Sequence, residues 1–140
     1  MTIKKTVILG LSGGVDSAVS ALLLKRQGYN VIGLFMQTFR EETANKNPCK
    51  SKSSMTDEKM AQIIAKMLKI NLISKDYKKE YYKEVIVPMI KDYQRGLTPN
   101  PDIVCNKLIK FPYLLREAKK LGADYIATGH YARIKKTKAD

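Results

Sequence analysis

The stretch Gly10–Ser17, which reads Gly-Leu-Ser-Gly-Gly-Val-Asp-Ser, collects small and polar residues whose chemistry suits an anion. Gly13 and Gly14 carry no β-carbon, so the backbone can approach a ligand closely at these positions. Ser12 and Ser17 add hydroxyl donors. We therefore expect this stretch to hold a phosphate group; the alternative is a glycine-rich turn that binds nothing.

Asp16 is the acidic residue of this stretch, and its carboxylate repels a bare phosphate. Its expected role is to contact Mg²⁺ or to orient a backbone amide. The stretch lacks the Gly-Lys-Ser/Thr ending of a P-loop, and it does not match the Gly-x-Gly-x-x-Gly fingerprint of dinucleotide-binding proteins. It therefore indicates a different class of nucleotide-binding loop.

A second polar stretch, Gly96–Asn106, contains Pro99 and Pro101. Two prolines this close together restrict φ at their own positions and favour extended backbone at the residues before them. The pattern predicts a rigid, extended loop that presents Asn100 and Asp102 to a partner.

Cys105 ends this loop. Asn106 is a good N-cap residue, so we expect a basic helix from about Lys107 to Lys120. A thiol at a helix N-terminus, close to Lys107 and Lys110, is expected to have a lowered pKa and a reactive thiolate. The alternative is a buried structural cysteine.

Gly129 and His130 follow an apolar run near the end of the sequence. Gly129 is expected to lie against a nucleotide. His130, the single histidine, fits a structural role and a site role equally well. Cys49 lies in a long polar segment, 37–56, and its role stays open.

Apolar runs and helical spacing place these stretches on a regular frame. The predicted strands are Thr6–Leu11, Asn30–Met36, Ile70–Ile73 and Tyr125–Thr128, and the predicted helices are Val15–Gln27, one that begins at Thr56, Lys78–Gln94 and Lys107–Lys120. Pro88 should kink or split the third helix. The alternation predicts an α/β fold, with an open parallel sheet and helices on both faces. Carboxyl ends of parallel strands share one edge, so Gly10–Ser17 and Gly129 should face one crevice.

Composition limits the class of protein. Lys and Arg number 26 against 13 Asp and Glu, which gives a formal net charge of +13. This excess favours a polyanionic partner such as nucleic acid; the alternative is a lysine-rich, merely solvated surface. The two cysteines argue against a disulfide framework. No targeting segment or membrane span is visible, so a cytoplasmic enzyme without a membrane partner is expected.

Three stretches of the chain, Gly10–Ser17, Thr98–Asn106 and Ala127–Arg133, together resemble the tRNA-specific 2-thiouridylases. The strand ending Gly33-Leu34-Phe35-Met36 matches as well, and the resemblance runs over nearly the whole chain. The first stretch alone resembles the pyrophosphate loop (PP-loop) of the ATP pyrophosphatase superfamily. The resemblance implies a Rossmann-like, adenine nucleotide alpha-hydrolase-like fold.

The resemblance also implies a reaction and its partners. ATP, with Mg²⁺, adenylates the C2 oxygen of the wobble uridine of tRNA, and a persulfide sulfur then displaces AMP. The sulfur comes from a donor protein, either a persulfide carrier or a cysteine desulfurase. The resemblance implies that ATP is contacted by Gly10, Leu11, Ser12, Gly13, Gly14, Val15, Asp16, Ser17, Met36 and Gly129.

The same resemblance assigns the other site residues. Asn100, Pro101 and Asp102 would contact the target base, and Cys105 matches the first catalytic cysteine. Asp16 is the second residue expected to be catalytic, and no fixed metal site is expected: Mg²⁺ would arrive with ATP and be contacted through Asp16.

The chain departs from the family in two respects. A second catalytic cysteine, a central tRNA-binding domain and a C-terminal β-barrel lie beyond the length of these 140 residues. We therefore expect residues 1–140 to be the PP-loop ATP-binding catalytic domain alone, unable to thiolate tRNA by itself. An acidic stretch usual before Cys49 is reduced to Glu41-Glu42, which leaves the local loop in question.

The residue patterns alone are also compatible with two other functions. One is a different ATP pyrophosphatase, such as an amide-forming synthetase or another tRNA modifier, which would not need Cys105 or the Pro-Asn-Pro loop. The other is a non-catalytic module that binds a nucleotide or RNA.

Overall fold

The computed structural model describes residues 4–38 and 56–132. In chain order the strands are β1 (Thr6–Gly10), β2 (Asn30–Gln37), β3 (Asn71–Asp76) and β4 (Tyr125–Ala127). The helices are α1 (Val15–Arg26), α2 (Asp57–Leu68), α3 (Lys78–Tyr81), α4 (Val87–Gln94), α5 (Pro101–Cys105) and α6 (Phe111–Lys120), with π-helical turns over Tyr82–Ile86 and Asn106–Lys110.

The strands form one parallel sheet in the order β3-β2-β1-β4. Gly10 of β1 lies beside Leu34 of β2, and Leu9 lies beside Ala127 of β4. The chain runs outward from β1 to β3 and then returns to the other side of β1. The strand order therefore reverses between β1 and β4, and open α/β sheets bind their ligands at the carboxyl edge of such a point.

Each face of the sheet carries its own apolar core. On one face Leu9, Leu11 and Val31 pack with Ala21 of α1 and Ala65 of α2. On the other face the buried residues are Ile8, Leu34, Leu114 and Ala118, the last two from α6. The α/β fold with helices on both faces of an open parallel sheet is therefore confirmed.

The helix predicted over Lys78–Gln94 is split, as Pro88 led us to expect. Proline has no N–H for the helical ladder, and in the turn before it the Val87 N–H donates to the carbonyl of Tyr82, five residues back. The same pattern recurs before Pro112, where the Phe111 N–H donates to the carbonyl of Asn106. Each proline thus follows a π-helical turn.

Other boundaries also differ from the prediction, with β1, β2 and β4 each ending one residue away from the expected position. The first helix ends at Arg26, and Gly28 follows it with a φ of +91°, the left-handed conformation that glycine adopts easily. The third strand covers Asn71–Asp76 and not Ile70–Ile73, since its polar second half still pairs with β2 as far as Gln37.

Candidate functional site

The glycine-rich loop and the end of β4 meet at the carboxyl edge, on either side of the switch point. The loop leaves β1 after Gly10 and enters α1 at Val15. Leu11 is anchored below it, because its N–H donates to the Leu34 carbonyl at 2.9 Å and its side chain is buried. The loop is therefore held on a rigid base.

The two serines brace the loop from inside. The Ser17 hydroxyl donates to the Gly14 carbonyl at 3.0 Å and accepts from the Ser12 N–H at 3.2 Å. The Ser12 hydroxyl accepts from the Gly14 N–H at 3.3 Å. Ser17 is only 4% exposed. These hydroxyl groups thus fix the loop's shape, a role that the residue types alone did not indicate.

Several backbone N–H groups of the loop stay free for a ligand. Gly14 is the N-cap of α1, and no side chain caps the helix. Within the described ranges, the N–H groups of Gly13, Val15, Asp16 and Ser17 donate to no acceptor. Unpaired amides at a helix N-terminus, together with the helix dipole, attract an anion. Since Ser17 is buried, the N–H groups of Gly13, Val15 and Asp16 form the accessible part of this anion cradle.

Two glycines allow close approaches around the cradle. Gly13 has a φ of +88°, and a β-carbon there would overlap the Asp57 carbonyl oxygen at the start of α2. A β-carbon at Gly129 would lie 2.8 Å from the Ser17 nitrogen, closer than side chains pack. The predicted neighbourhood of Gly129 and the first loop is therefore present in the structure.

The Asp16 carboxylate is hydrogen-bonded to Tyr131, which lies two residues after Gly129. The Tyr131 hydroxyl donates to Asp16 Oδ1 at 2.6 Å. This hydrogen bond and the negative charge of Asp16 raise the pKa of the Tyr131 phenol above its ordinary value. Sequence reasoning missed Tyr131, although it directly follows His130 in a stretch already singled out.

His130 lies at the rim of the same edge. Its Nδ1 is 2.7 Å from the Thr128 hydroxyl oxygen, and its ring centroid is 5.4 Å from that of Phe111, at the start of α6. His130 is exposed. The ring thus links the end of β4 to α6 while remaining accessible.

Met36 lies near the end of β2, on the same edge of the sheet. It is partly buried and packs on the face that contains Ile8, Leu34 and Leu114. The structure therefore places Met36 at the carboxyl edge of the sheet, against the apolar core of one face.

The stretch before Cys105 is not the extended loop that its prolines predicted. Asn100 is the N-cap of α5, and its Oδ1 accepts from the N–H groups of Asp102 at 3.1 Å and Ile103 at 3.3 Å. Pro101 occupies the first helical position, which favours a helix start there. Asp102 is exposed in the first turn, while the Asn100 amide oxygen is used for capping. The helix thus begins six residues earlier than Lys107.

The prediction of a reactive Cys105 is wrong for this conformation. Cys105 ends α5, in helical backbone that continues into the next turn, and it is 4% exposed among Val85 and Ile109. Burial raises the pKa of the Cys105 thiol, and the nearby Asp102 raises it further, while Lys110 opposes both. The helix N-terminus that was expected to favour the thiolate lies at Pro101.

The prediction that Asn106 is a helix N-cap is also wrong. It does not cap a helix, because its backbone is itself helical. Its side-chain oxygen is buried and accepts no hydrogen bond within the described part of the chain. Such an orphaned acceptor costs free energy.

The structure thus assembles one group of predicted site residues and separates another. The loop, Gly129 and Tyr131 are in direct contact. Cys105 belongs to a different cluster, with Val85 and Ile109. Cys49 and the last residue of the stretch Ala127–Arg133 lie outside the described residues.

Within residues 4–38 and 56–132, no group of three or more His, Cys, Asp or Glu side chains is arranged to hold a metal ion. Among the helices in those ranges, none is both long and apolar enough to cross a membrane.

Comparison with known structures supports the fold. The predicted subunit of tRNA methyltransferase from Methanocaldococcus jannaschii aligns with 96% of this chain and 58% of its own, at a TM-score of 0.54 and 19% identity. The NH3-dependent NAD synthetase from Campylobacter jejuni aligns with 90% of this chain and 47% of its own, at a TM-score of 0.51 and 20% identity. At such low identity these likenesses establish the fold alone.

Sequence comparison identifies much nearer relatives. The tRNA-specific 2-thiouridylase MnmA 2 of Aliarcobacter butzleri is 47% identical over 138 residues, which cover 99% of this chain and 36% of the relative. The tRNA-specific 2-thiouridylase MnmA of Legionella pneumophila (strain Paris) is 48% identical over 130 residues, or 93% of this chain and 35% of the relative. The chain spans about a third of the length of these proteins, and the resemblance to 2-thiouridylases is confirmed.

The family model described as the tRNA methyl transferase HUP domain matches residues 5–140. The match includes the glycine-rich loop, the segment with Cys105 and the end of β4. The chain therefore belongs to the tRNA methyl transferase HUP domain family.

Proposed function

We propose that this chain supplies the ATP-binding and first-cysteine part of an enzyme that replaces the C2 oxygen of the wobble uridine of tRNA by sulfur. The observation that carries the proposal is the cradle of unpaired N–H groups at Gly13, Val15 and Asp16. Its support is the resemblance over the whole chain to proteins named tRNA-specific 2-thiouridylases.

ATP fits the cradle for physical reasons. The free amides and the N-terminus of α1 favour the β- and γ-phosphates, and the glycines leave room for them. Gly129 lies against the first turn of α1, and Met36 and Gly129 are proposed to contact the bound ATP. The bound ATP supplies an adenylyl group, which turns the uridine C2 oxygen into part of a leaving group.

Mg²⁺ fits as a companion of ATP and not as a resident ion. Magnesium usually combines one or two carboxylates with phosphate oxygens and water. Asp16 provides one exposed carboxylate beside the cradle, and only its Oδ1 accepts a hydrogen bond from the described residues. Asp16 would therefore hold the ion that accompanies the phosphates.

Asn100, Pro101 and Asp102 are proposed to contact the target base, and Cys105 is proposed as the first catalytic cysteine. Asp102 is exposed and available for such a contact. The Cys105 thiol must become accessible and lose its proton before it can act, because burial now raises its pKa. The second cysteine, the central domain and the β-barrel would belong to the two thirds of the relatives' length that this chain does not span. The sulfur donor would be a separate protein.

Calorimetry of ATP binding tests the first half of this proposal. The chain should bind ATP in the presence of Mg²⁺, and Asp16→Ala should weaken that binding by roughly tenfold, since it removes a charged contact. Asp92→Ala is the matched control, because Asp92 is a surface carboxylate paired with Arg95 away from the cradle. Unchanged affinity in Asp16→Ala, or an equal loss in Asp92→Ala, would reject the role of Asp16.

A further inference from the structure

Tyr131 is held at the site by its hydroxyl group and not by packing. The residue is 89% exposed, yet its hydroxyl donates to Asp16 Oδ1 at 2.6 Å. A side chain this exposed gains little from burial. The hydrogen bond to Asp16, 115 positions away in sequence, is therefore what defines its position.

Asp16 occupies a position from which it could block the cradle. It is the second residue of α1. Short acidic side chains in the first turn of a helix tend to bond to nearby backbone N–H groups. In this structure the Asp16 carboxylate accepts from Tyr131, and the N–H groups of Val15, Asp16 and Ser17 have no acceptor in the described ranges.

Gly129 makes this arrangement possible. Its lack of a β-carbon lets the end of β4 lie directly against Asp16 and Ser17. Tyr131 follows two residues later, and its hydroxyl donates to the Asp16 carboxylate. The end of β4 thus carries both a close approach and a hydrogen-bond donor to the start of α1.

We propose that Tyr131 is a positioning residue that draws the Asp16 carboxylate away from the first-turn amides of α1 and so keeps those amides free for phosphate. The inference deepens the proposed function, on which its second consequence rests. Tyr131 acts through Asp16 and needs no contact with the nucleotide. In its absence the Asp16 carboxylate should turn to its own helix and occupy the donors.

The first test uses the ligand-free chain and does not depend on ATP. Tyr131→Phe keeps the ring and removes the donor. In NMR spectra, the amide proton of Asp16 should exchange with solvent several-fold more slowly in Tyr131→Phe than in the parent, because it gains an acceptor. Exchange rates equal to those of the parent would overturn the inference, whatever the chain binds.

The second test is a double-mutant cycle on the affinity for Mg·ATP. Tyr131→Phe should weaken binding by roughly tenfold, the change expected for one hydrogen bond to a charged group. In an Asp16→Ala background the same change should have almost no effect, because the carboxylate through which Tyr131 acts is absent. An equal loss in both backgrounds would mean that Tyr131 acts by itself, and would overturn the inference.

A third variant separates this inference from the proposed function. Tyr82→Phe alters another exposed tyrosine, 58% exposed on the π-helical turn of Tyr82–Ile86, and should leave both readouts unchanged. If the parent fails to bind Mg·ATP, the proposed function falls, while slower amide exchange in Tyr131→Phe would still establish the positioning role. If the parent binds and Tyr131→Phe binds equally well, only the inference fails.

Discussion

The α-carbon of Gly129 faces the backbone nitrogen of Ser17 so closely that a β-carbon would stand 2.8 Å from it. This contact joins the end of β4 to the first turn of α1, across the point where the strand order reverses. It therefore connects two stretches that lie far apart in the sequence and that both border the proposed phosphate cradle.

Replacement of Gly129 by alanine should disturb this junction. The added methyl group meets backbone, which cannot turn away as a side chain can, so we expect a loss of about 1 to 3 kcal/mol in the free energy of unfolding. Affinity for ATP should fall as well, because the cradle must shift. Urea unfolding and calorimetry measure the two effects.

Gly10→Ala is the matched control for Gly129→Ala. A β-carbon at Gly10 would meet only the Ala127 carbonyl oxygen, at 4.0 Å, which is an ordinary contact. Its unfolding free energy should stay close to that of the parent. Equal stability of the two variants would show that the junction is not as tight as described.

Cys105 should react slowly in the folded chain. Burial raises the pKa of its thiol, and reaction requires a local opening of the helix. At neutral pH, iodoacetamide should label Cys105 at least about tenfold more slowly than in the urea-unfolded chain. Peptide mapping by mass spectrometry separates Cys105 from Cys49. Labelling as fast as in urea would restore the reactive thiolate that the sequence predicts.

Glu117 should make the free energy of unfolding depend on pH. This carboxylate is 4% exposed, and its pKa is lowered chiefly by the hydrogen bond from Lys120 at 2.9 Å, against the effect of its burial. A lowered pKa stabilises the fold fully above the ordinary glutamate value, and this contribution disappears as the pH falls through the folded-state pKa. Glu117→Gln should therefore cost about 1 to 3 kcal/mol at neutral pH and progressively less below pH about 4.5.

The pH dependence of unfolding in urea measures this effect. Glu84→Gln is the control, since Glu84 forms an exposed pair with Lys83 at 3.7 Å, and exposed pairs contribute little. A cost for Glu117→Gln that stays the same from neutral to acidic pH would contradict the assignment.

The surplus of positive charge should appear as salt-dependent affinity for tRNA. The formal charge of +13 favours phosphate contacts, each of which releases counterions. Lys107 is exposed on the turn after Cys105, and Lys107→Ala should lower the slope of log affinity against log salt by about 1. Filter binding over a salt series measures the slope, with Lys83→Ala as the control; a flat salt dependence would favour the merely solvated surface.

The local features of the site could be predicted, because they depend on neighbouring residues. The turn after β1 follows from its glycines and from the strand and helix on either side. The position of Gly129 at the same edge of the sheet as this turn follows from the parallel direction of the strands. The bond between Asp16 and Tyr131 could not be predicted in this way, since it joins residues 115 positions apart through the packing of β4 beside β1.

Cys105 shows how a local rule can select the wrong residue. Asn100 and Asn106 are both suitable N-cap residues, and only an N-cap at Asn106 would put Cys105 at a helix N-terminus. Pro101 directly after Asn100 is the signal that favours the first, and the structure starts the helix there. A shift of six residues in the helix start moves Cys105 from a helix N-terminus into a buried cluster and reverses the direction of its pKa shift.

The central claim is tested most directly by a chimera in which this chain replaces the matching third of the Aliarcobacter butzleri 2-thiouridylase, to which it is 47% identical over 138 residues. Incubated with tRNA, ATP, Mg²⁺ and a persulfide donor, the chimera should form 2-thiouridine, as measured by mass spectrometry of the digested tRNA. The 140-residue chain alone should form none, and the chimera with Cys105→Ser should bind ATP but form none. Thiolated uridine from the Cys105→Ser chimera, or its absence from a chimera that binds both ATP and tRNA, would contradict the account.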